Sequence, residues 1–258
     1  MKKILIVGNW KMNPASAARA RTDFLAIKKS AGLFKNVSAA IAAPFVFLPE
    51  LGKNASAGLA VAAQNVSPEK AGAFTGEISA DMIAATKAKY VIVGHSERRN
   101  LGETNEFINR KIKAVLAAKM TPIVCIGEKE RDHDMWYLSV VKTQVEECFA
   151  GIAKAAAPKI VIAYEPVWAL SSTKDRRDAT TEDCAEMRIY IKKVLTDMFG
   201  AKTAAEVAVL YGGSVDDKNA AGFLTEGHAD GLLPGRASLT PKTFINILKS
   251  ANEINQKS

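Results

Sequence analysis

The sequence predicts an α/β fold of one kind, a single closed (β/α)8 barrel spanning residues 1–258. Three observations predict it. Short apolar runs of strand character recur along the chain and number eight. Amphipathic stretches with helical spacing lie between them, and such alternation means parallel strands joined by crossover helices. Finally, 258 residues without a Pro/Gly/Ser-rich linker is the size of eight such units in one body. The rival is a doubly wound open sheet. That fold carries a Gly-rich dinucleotide turn after its first strand, and "GNWKMN" is not one.

The first strand is "ILIVGNW". With the two lysines before it, this start imitates a signal peptide, but its apolar run is too short for one, so it reads as the opening strand of a cytoplasmic protein. "SAAIAAP" and "LAVAAQN" are the second and third strands. After the third comes "QNVSPEKAGAFTGEIS", too long and too rich in small residues for an isolated loop, with an aromatic, Phe74, at its centre. It predicts an arm over residues 64–81 that packs into a second copy, giving a homodimer in which Thr75 is within reach of Asn9 and Glu97 of that copy; the bland alternative is an arm folded back on its own barrel. "YVIVGHS" is the fourth strand, followed by an amphipathic helix over Asn105–Lys119, and "TPIVCIG" is the fifth. The sixth, "KIVIAYEP", must stop at Pro166, which has no amide for a ladder, so Glu165 lies on its C-terminal lip. Beyond it a polar stretch without apolar period runs to a helix beginning near Thr181, covering Glu182–Met198, and predicts a flap. "EVAVLYGG" and "DGLLPG" complete the set.

Charge and cysteine content exclude several classes. The net charge is +8, from 35 basic and 27 acidic residues. The lysines are dispersed through helical stretches such as "NRKIKAVLAAK", with no basic run interleaved with stacking aromatics, so nucleic acid is not the expected partner. A pull on small anionic substrates is. No stretch is long enough to span a bilayer. Cys125, Cys148 and Cys184 are too far apart for metal-ligand spacing and predict reduced structural thiols, with neither metal nor cofactor expected. His133 and His228 read as surface-loop histidines.

In a barrel of this kind the chemistry lies at the C-terminal strand ends. Those ends carry Asn9 and Lys11, then Gln64 and Asn65, then His95, Ser96 and Glu97, and then Glu165. Taken singly, each has a bland reading: a solvated lysine, a satisfied core histidine, an ion-paired carboxylate. Their convergence on one face reverses the preference, because polar groups at neighbouring strand ends are costly unless something uses them. "YGGS" with Ser214 and "PGRAS" with Gly235 and Arg236 are small-residue turns on the last two strands, where backbone amides can cradle a phosphate. In "CIGE", Cys125 and Glu128 read as structural, and Trp168 as the anchor of the flap's hinge.

"GNWKMN", "QNVSPEKAGAFTGEIS", "VIVGHSERR", "CIGE", "AYEPVWA" and "YGGSV" resemble, in order and spacing, the signature segments of the triosephosphate isomerase family over essentially the whole chain. The resemblance implies a dimeric, cofactor-free barrel enzyme that interconverts dihydroxyacetone phosphate and D-glyceraldehyde 3-phosphate. It implies Glu165 as the base for carbon, His95 as the electrophile, Lys11 as the fixed positive charge and Asn9 as a group orienting the carbonyl. It further implies Ser96 holding Glu165 at rest, Glu97 paired with Lys11, and a phosphate site at Ser171, Ser214, Gly235 and Arg236. A raised Glu165 pKa and a neutral His95 belong to the same expectation.

Two segments depart from the family pattern. The lid after "PVWA", usually Ile-Gly-Thr-Gly-Lys, here reads Leu170, Ser171, Ser172, Thr173, Lys174, and "DRR" lengthens it. The last phosphate turn, usually Leu-Val-Gly-Gly, becomes "LPGR", with Pro234 and Arg236. These departures leave a second reading open, a divergent barrel with weakened or redirected activity that still binds a small phosphorylated ligand. A non-catalytic binding barrel would be expected to have lost Lys11, His95 or Glu165, and all three are present. An aldolase would place a Schiff-base lysine at a strand end, whereas Lys11 sits in the isomerase context "KMN".

Overall fold

The computed structural model describes residues 3–132, 134–170, 173 and 177–254. Eight parallel strands form a closed barrel in sequence order: β1 (Ile4–Asn9), β2 (Val37–Ala43), β3 (Leu59–Ala63), β4 (Tyr90–Val93), β5 (Thr121–Ile126), β6 (Val161–Tyr164), β7 (Ala208–Tyr211) and β8 (Gly231–Leu232). Closure is made by β8 against β1, with Leu5 opposite Gly231. The ring of helices comprises α1 (Ala17–Ala31), α2 (Leu48–Asn54), α3 (Ala80–Ala85), α4 (Ser96–Arg99), α5 (Asn105–Ala117), α6 (Trp136–Cys148), α7 (Thr181–Phe199), α8 (Ala201–Glu206), α9 (Ala220–Thr225) and α10 (Pro241–Glu253). The two helices expected at Asn105–Lys119 and near Thr181 are α5 and α7. Thr180 caps α7 through a reciprocal bond with Asp183, which fixes where the helix starts after the lid.

The strands are buried on both faces, and their alternation separates two cores. Leu5, Val7, Ala40, Ala42, Ile92, Ile123, Cys125, Ala163 and Leu210 fill the barrel interior. Ile4, Ile6, Ile41, Val91, Val93, Val124, Ile126 and Ile162 point out and pack under the helices. This period of two positions the site. Leu5 and Val7 face in, so Asn9 does; Val161 and Ala163 face in, so Glu165 does. Strand β6 stops before Pro166 as expected; the Glu165 amide donates to the Ile126 carbonyl at 2.8 Å and, past the proline, the Val167 amide donates to the Glu128 carbonyl at 3.0 Å. Pro234 gives up an amide, but its carbonyl accepts from the Asn9 amide at 2.9 Å, so the β1–β8 seam continues past it.

Candidate active site

Asn9, Lys11, His95, Glu165, Ser214, Gly235 and Arg236 line one cavity of about 380 Å³ at the C-terminal mouth of the barrel. Segments from five different strands are thereby brought to one place. Ser171 lies outside the described residues, as does His133; His228 is exposed.

Glu165 is 3% exposed. Its Oε1 lies 3.0 Å from His95 Nε2, and its Oε2 accepts from the Ser96 amide at 3.2 Å. Ser96 thus meets Glu165 through its backbone, where its place beside His95 alone suggested no such distinction. The backbone of Glu165 lies against residue 127, which is glycine: a Cβ there would stand 1.8 Å from the Glu165 carbonyl oxygen. On β4 the chain turns at Gly94, whose φ of +68° is strained for any side-chain-bearing residue, and this turn swings His95 to the mouth. His95 then caps α4, its Nδ1 accepting from the Glu97 amide at 3.2 Å. An accepting Nδ1 leaves the imidazole proton on Nε2, facing Glu165.

The electrostatics of the pair correct one expectation. Burial favours the neutral carboxyl, but the adjoining His95, the Ser96 amide and Lys11 outweigh it, and the Glu165 pKa is lowered rather than raised. Burial likewise favours a neutral His95, and the neighbouring Glu165, helped by Glu97, outweighs that and raises the imidazole. Each group lifts the charged form of the other because in this arrangement they bond to each other. The Glu97 carboxylate, 3.6 Å from Nδ1, pulls toward a cation, but the nearer amide already occupies that nitrogen.

Lys11 pairs with Glu97 at 2.7 Å, as expected. It takes a left-handed φ of 52°, unusual for a lysine, and the turn is pinned twice. Its amide donates to Asn9 Oδ1 at 3.0 Å, and Gln64 Nε2 donates to its carbonyl at 2.9 Å. Gln64 also donates to the Ala42 carbonyl at 2.9 Å, so it ties β1 to β2 beneath the lysine. On the opposite wall, the amides of Gly213, Ser214 and Gly235 donate to no partner among the described residues, and Gly213 and Ser214 belong to the "YGGS" turn. Arg236 is exposed at the cavity edge.

Behind the base, Glu128 is 1% exposed. Its Oε1 accepts from Trp168 Nε1 at 2.7 Å and from the Tyr164 hydroxyl at 2.8 Å, and its carbonyl accepts from the Val167 amide at 3.0 Å. Glu128 therefore holds Val167 and the buried Trp168, the residues that lead into the segment after β6. Cys125 is fully buried, and burial together with the Glu165 charge pushes its thiol well up, so it is inert beside the base. Its contact with Glu165 went unrecognised in the sequence. The signal was there in the two-residue period, since Cys125 pairs with Ala163 and both face inward.

A basic, amide-rich pocket beside a buried carboxylate and an imidazole, at the C-terminal mouth of a closed barrel, defines an enzyme that moves protons on a small anionic substrate. A family model described as triosephosphate isomerase matches residues 4–251. The chain belongs to the triosephosphate isomerase family. It is 40% identical to the triosephosphate isomerase of Fusobacterium nucleatum over 257 residues, covering 98% of this chain and all of that one. It is 41% identical to that of Endomicrobium trichonymphae over 253 residues, covering 96% and 99% of the two chains. The crystal structure of triosephosphate isomerase from Bartonella henselae superposes with a TM-score of 0.84 at 32% identity, covering 96% of this chain and 98% of that one.

Proposed function

We propose that Glu165, His95, Lys11 and Asn9 carry the reaction of this family, the interconversion of dihydroxyacetone phosphate and D-glyceraldehyde 3-phosphate. The chain is an isomerase of that reaction, and the residue roles are our reading of the site. Glu165 takes a proton from one carbon and returns it to the neighbouring carbon. His95 donates from Nε2 to the oxygens of the enediolate between them, and Lys11 supplies positive charge where negative charge develops. When Glu165 turns from His95 to the substrate carbon, His95 loses the partner that raises it, and burial then favours the neutral donor. Glu165 loses the partner that lowers it, and in a dry site its basicity rises as the reaction needs. Backbone amides at Ser171, Ser214, Gly235 and Arg236 hold the phosphate, Ser96 parks the base at rest, and Glu97 positions Lys11.

The observation that carries this reading is the His95–Glu165 contact, with Nδ1 of the same imidazole held as an acceptor. The test is a coupled assay for glyceraldehyde 3-phosphate formation by the wild-type protein and by Glu165→Gln. Turnover retained by the variant would dismiss Glu165 as the base.

The assembly we propose is a homodimer through the 64–81 arm, built from one domain per chain. Met12, Val46, Phe74, Met82 and Leu101 are large exposed apolar residues in the segments that follow β1 to β4, consecutive strands of the barrel. An apolar surface of that extent favours burial by a second copy. The place we propose is the cytoplasm, within glycolysis and gluconeogenesis. Three buried free cysteines fit a reducing compartment, and among the described residues no helix is long and apolar enough to cross a membrane.

A further inference from the structure

A second cavity, of about 260 Å³, lies at the N-terminal end of the barrel, the end away from Glu165. Its walls are the starts of the strands, with Ser38, Tyr90 and Ala208 among them, together with Lys3 before β1 and Lys159 before β6. Ser38 precedes the inward-facing Ala40 by two positions, and Ala208 itself faces in. Both are small for the interior of a barrel, which leaves room at this level.

Two features set the chemistry of what fits. Tyr90 is 7% exposed and belongs to the interior core with Ile92 and Ile123. Its hydroxyl makes no hydrogen bond among the described residues and is not sealed off, so it opens into the cavity that Tyr90 lines. A phenol so nearly buried ordinarily finds a partner. The charge around it is positive. Lys3 continues the inward series of Leu5, Val7 and Asn9, Lys159 stands at the rim, and neither is ion-paired among the described residues. The Lys89 ammonium adds to them, 5.5 Å from the centre of the Tyr90 ring. Asp230 is the carboxylate on the wall, and it is committed. Its Oδ1 accepts from Arg188 at 3.1 Å, and its Oδ2 accepts from the Val209 amide at 2.8 Å with Lys192 3.9 Å away.

We propose that this cavity binds a small organic monocarboxylate carried on an apolar body about the size of one ring. The carboxylate accepts from the Tyr90 hydroxyl and faces Lys3 and Lys159, and the body lies on Leu5, Pro158 and Val161. Inorganic phosphate is the poorer fit, because it has nothing to set against those apolar walls and meets one buried donor instead of a cradle of amides. The walls come from the starts of several strands and exist only in the folded barrel, so occupancy stabilises the fold by mass action. The cavity shares no lining residue with the barrel mouth, and the proposal stands apart from the isomerase roles.

The probe is 4-fluorobenzoate, titrated into the full-length protein and followed by NMR through the Tyr90 ring signals and through its own fluorine. The comparisons are 4-fluorobenzyl alcohol and 4-fluorobenzylammonium, of like shape but with no charge or the opposite one, and inorganic phosphate. The expected result is a saturable shift at Tyr90, with the carboxylate bound about tenfold or more tightly than any of the three. Tyr90→Phe keeps the ring and removes the donor, and it should weaken binding about tenfold, read from the fluorine signal. Lys159→Gln, at the exposed rim, should weaken it as well. No saturable response at Tyr90, equal binding of the three fluorinated compounds, or full affinity retained in Tyr90→Phe overturns the site. Phosphate shifting Tyr90 at lower concentration than 4-fluorobenzoate overturns the carboxylate as its ligand.

Discussion

Glu165 and His95 form a pair whose protonation is mutual, and this makes two results predictable. In Glu165→Gln the fold is retained but the base is gone, and turnover should fall by a factor of about 10²–10⁴ or more. The same change removes the carboxylate that raises His95, so the imidazole should titrate lower in the variant than in the wild-type protein, read by NMR of its ring protons. An unchanged or higher midpoint would show that Glu165 is not what raises it. The pair also makes stability depend on pH. A histidine raised by folding contributes stability that is whole below its unfolded pKa and is lost as pH rises through the folded one. A carboxylate lowered by folding contributes stability that is whole above its unfolded pKa and is lost as pH falls through the folded one. The two contributions therefore overlap between about pH 4.3 and 6.5, the ordinary values of the two side chains. The stability difference between the wild-type protein and Glu165→Gln should be largest in that window, measured by urea unfolding across pH; a pH-independent difference would contradict the assignment.

The segment from the end of β5 to the lid works as one element because its pieces are bonded to one another. Gly127 lets its strand approach Glu165, Gln144 of α6 both donates to the Gly127 carbonyl and accepts from its amide, and Glu128 takes hold of Trp168. Gly127→Ala would force the Glu165 backbone aside. It should cost roughly 1–3 kcal/mol of stability by overpacking, seen as a lower denaturation midpoint, and more in turnover than in folding. Trp168→Phe removes one donor from a buried carboxylate and should cost about 1–3 kcal/mol, with the Michaelis constant affected more than turnover. The lid itself departs from the family at its tip. Thr173 is not among the described residues with positive φ, and it closes a turn by donating to the Leu170 carbonyl at 2.9 Å, with its hydroxyl on the Val167 carbonyl. A β-branched residue at the glycine position therefore keeps an ordinary backbone. The added residues cost only a few tenths of a kcal/mol in loop entropy. A phosphorylated enediolate mimic is accordingly expected to bind with its phosphate at the Ser214, Gly235 and Arg236 amides. Failure to bind at millimolar concentration would favour a redirected barrel.

At the scale of the whole molecule, the +8 charge and the exposed apolar residues after β1 to β4 have different consequences. The charge draws a dianionic substrate toward the mouth, an effect that weakens with added salt. The apolar surface is the one on which we propose that a second copy packs. Light scattering at micromolar concentration should show a dimer, and Phe74→Asp, placing a charge on the arm, should shift it toward monomer with reduced turnover. A monomeric wild-type protein would remove the arm's assigned role.

Local pattern alone was enough to locate the strands, the stop at Pro166 and the small-residue turns after β7 and β8, because a two-residue period and a missing amide act within a few residues of chain. The same period put Asn9 and Glu165 inside the mouth. Lys111 shows the limit: within "NRKIKAVLAAK" it reads as one more solvated lysine, yet it is 1% exposed, paired with Glu103 and donating to Asn65. Its partners lie on other segments, and only folding reveals that burial can be offset by them. Gln64 beneath Lys11, Cys125 against Glu165 and the direction of the Glu165 pKa were hidden for the same reason. Residue types and periodicity determined the barrel and the chemistry available at its mouth. Which groups touch, and hence which carboxylate is lowered and which imidazole nitrogen carries the proton, was decided by the tertiary structure, because Coulomb and hydrogen-bond energies depend on distances between residues far apart in the chain.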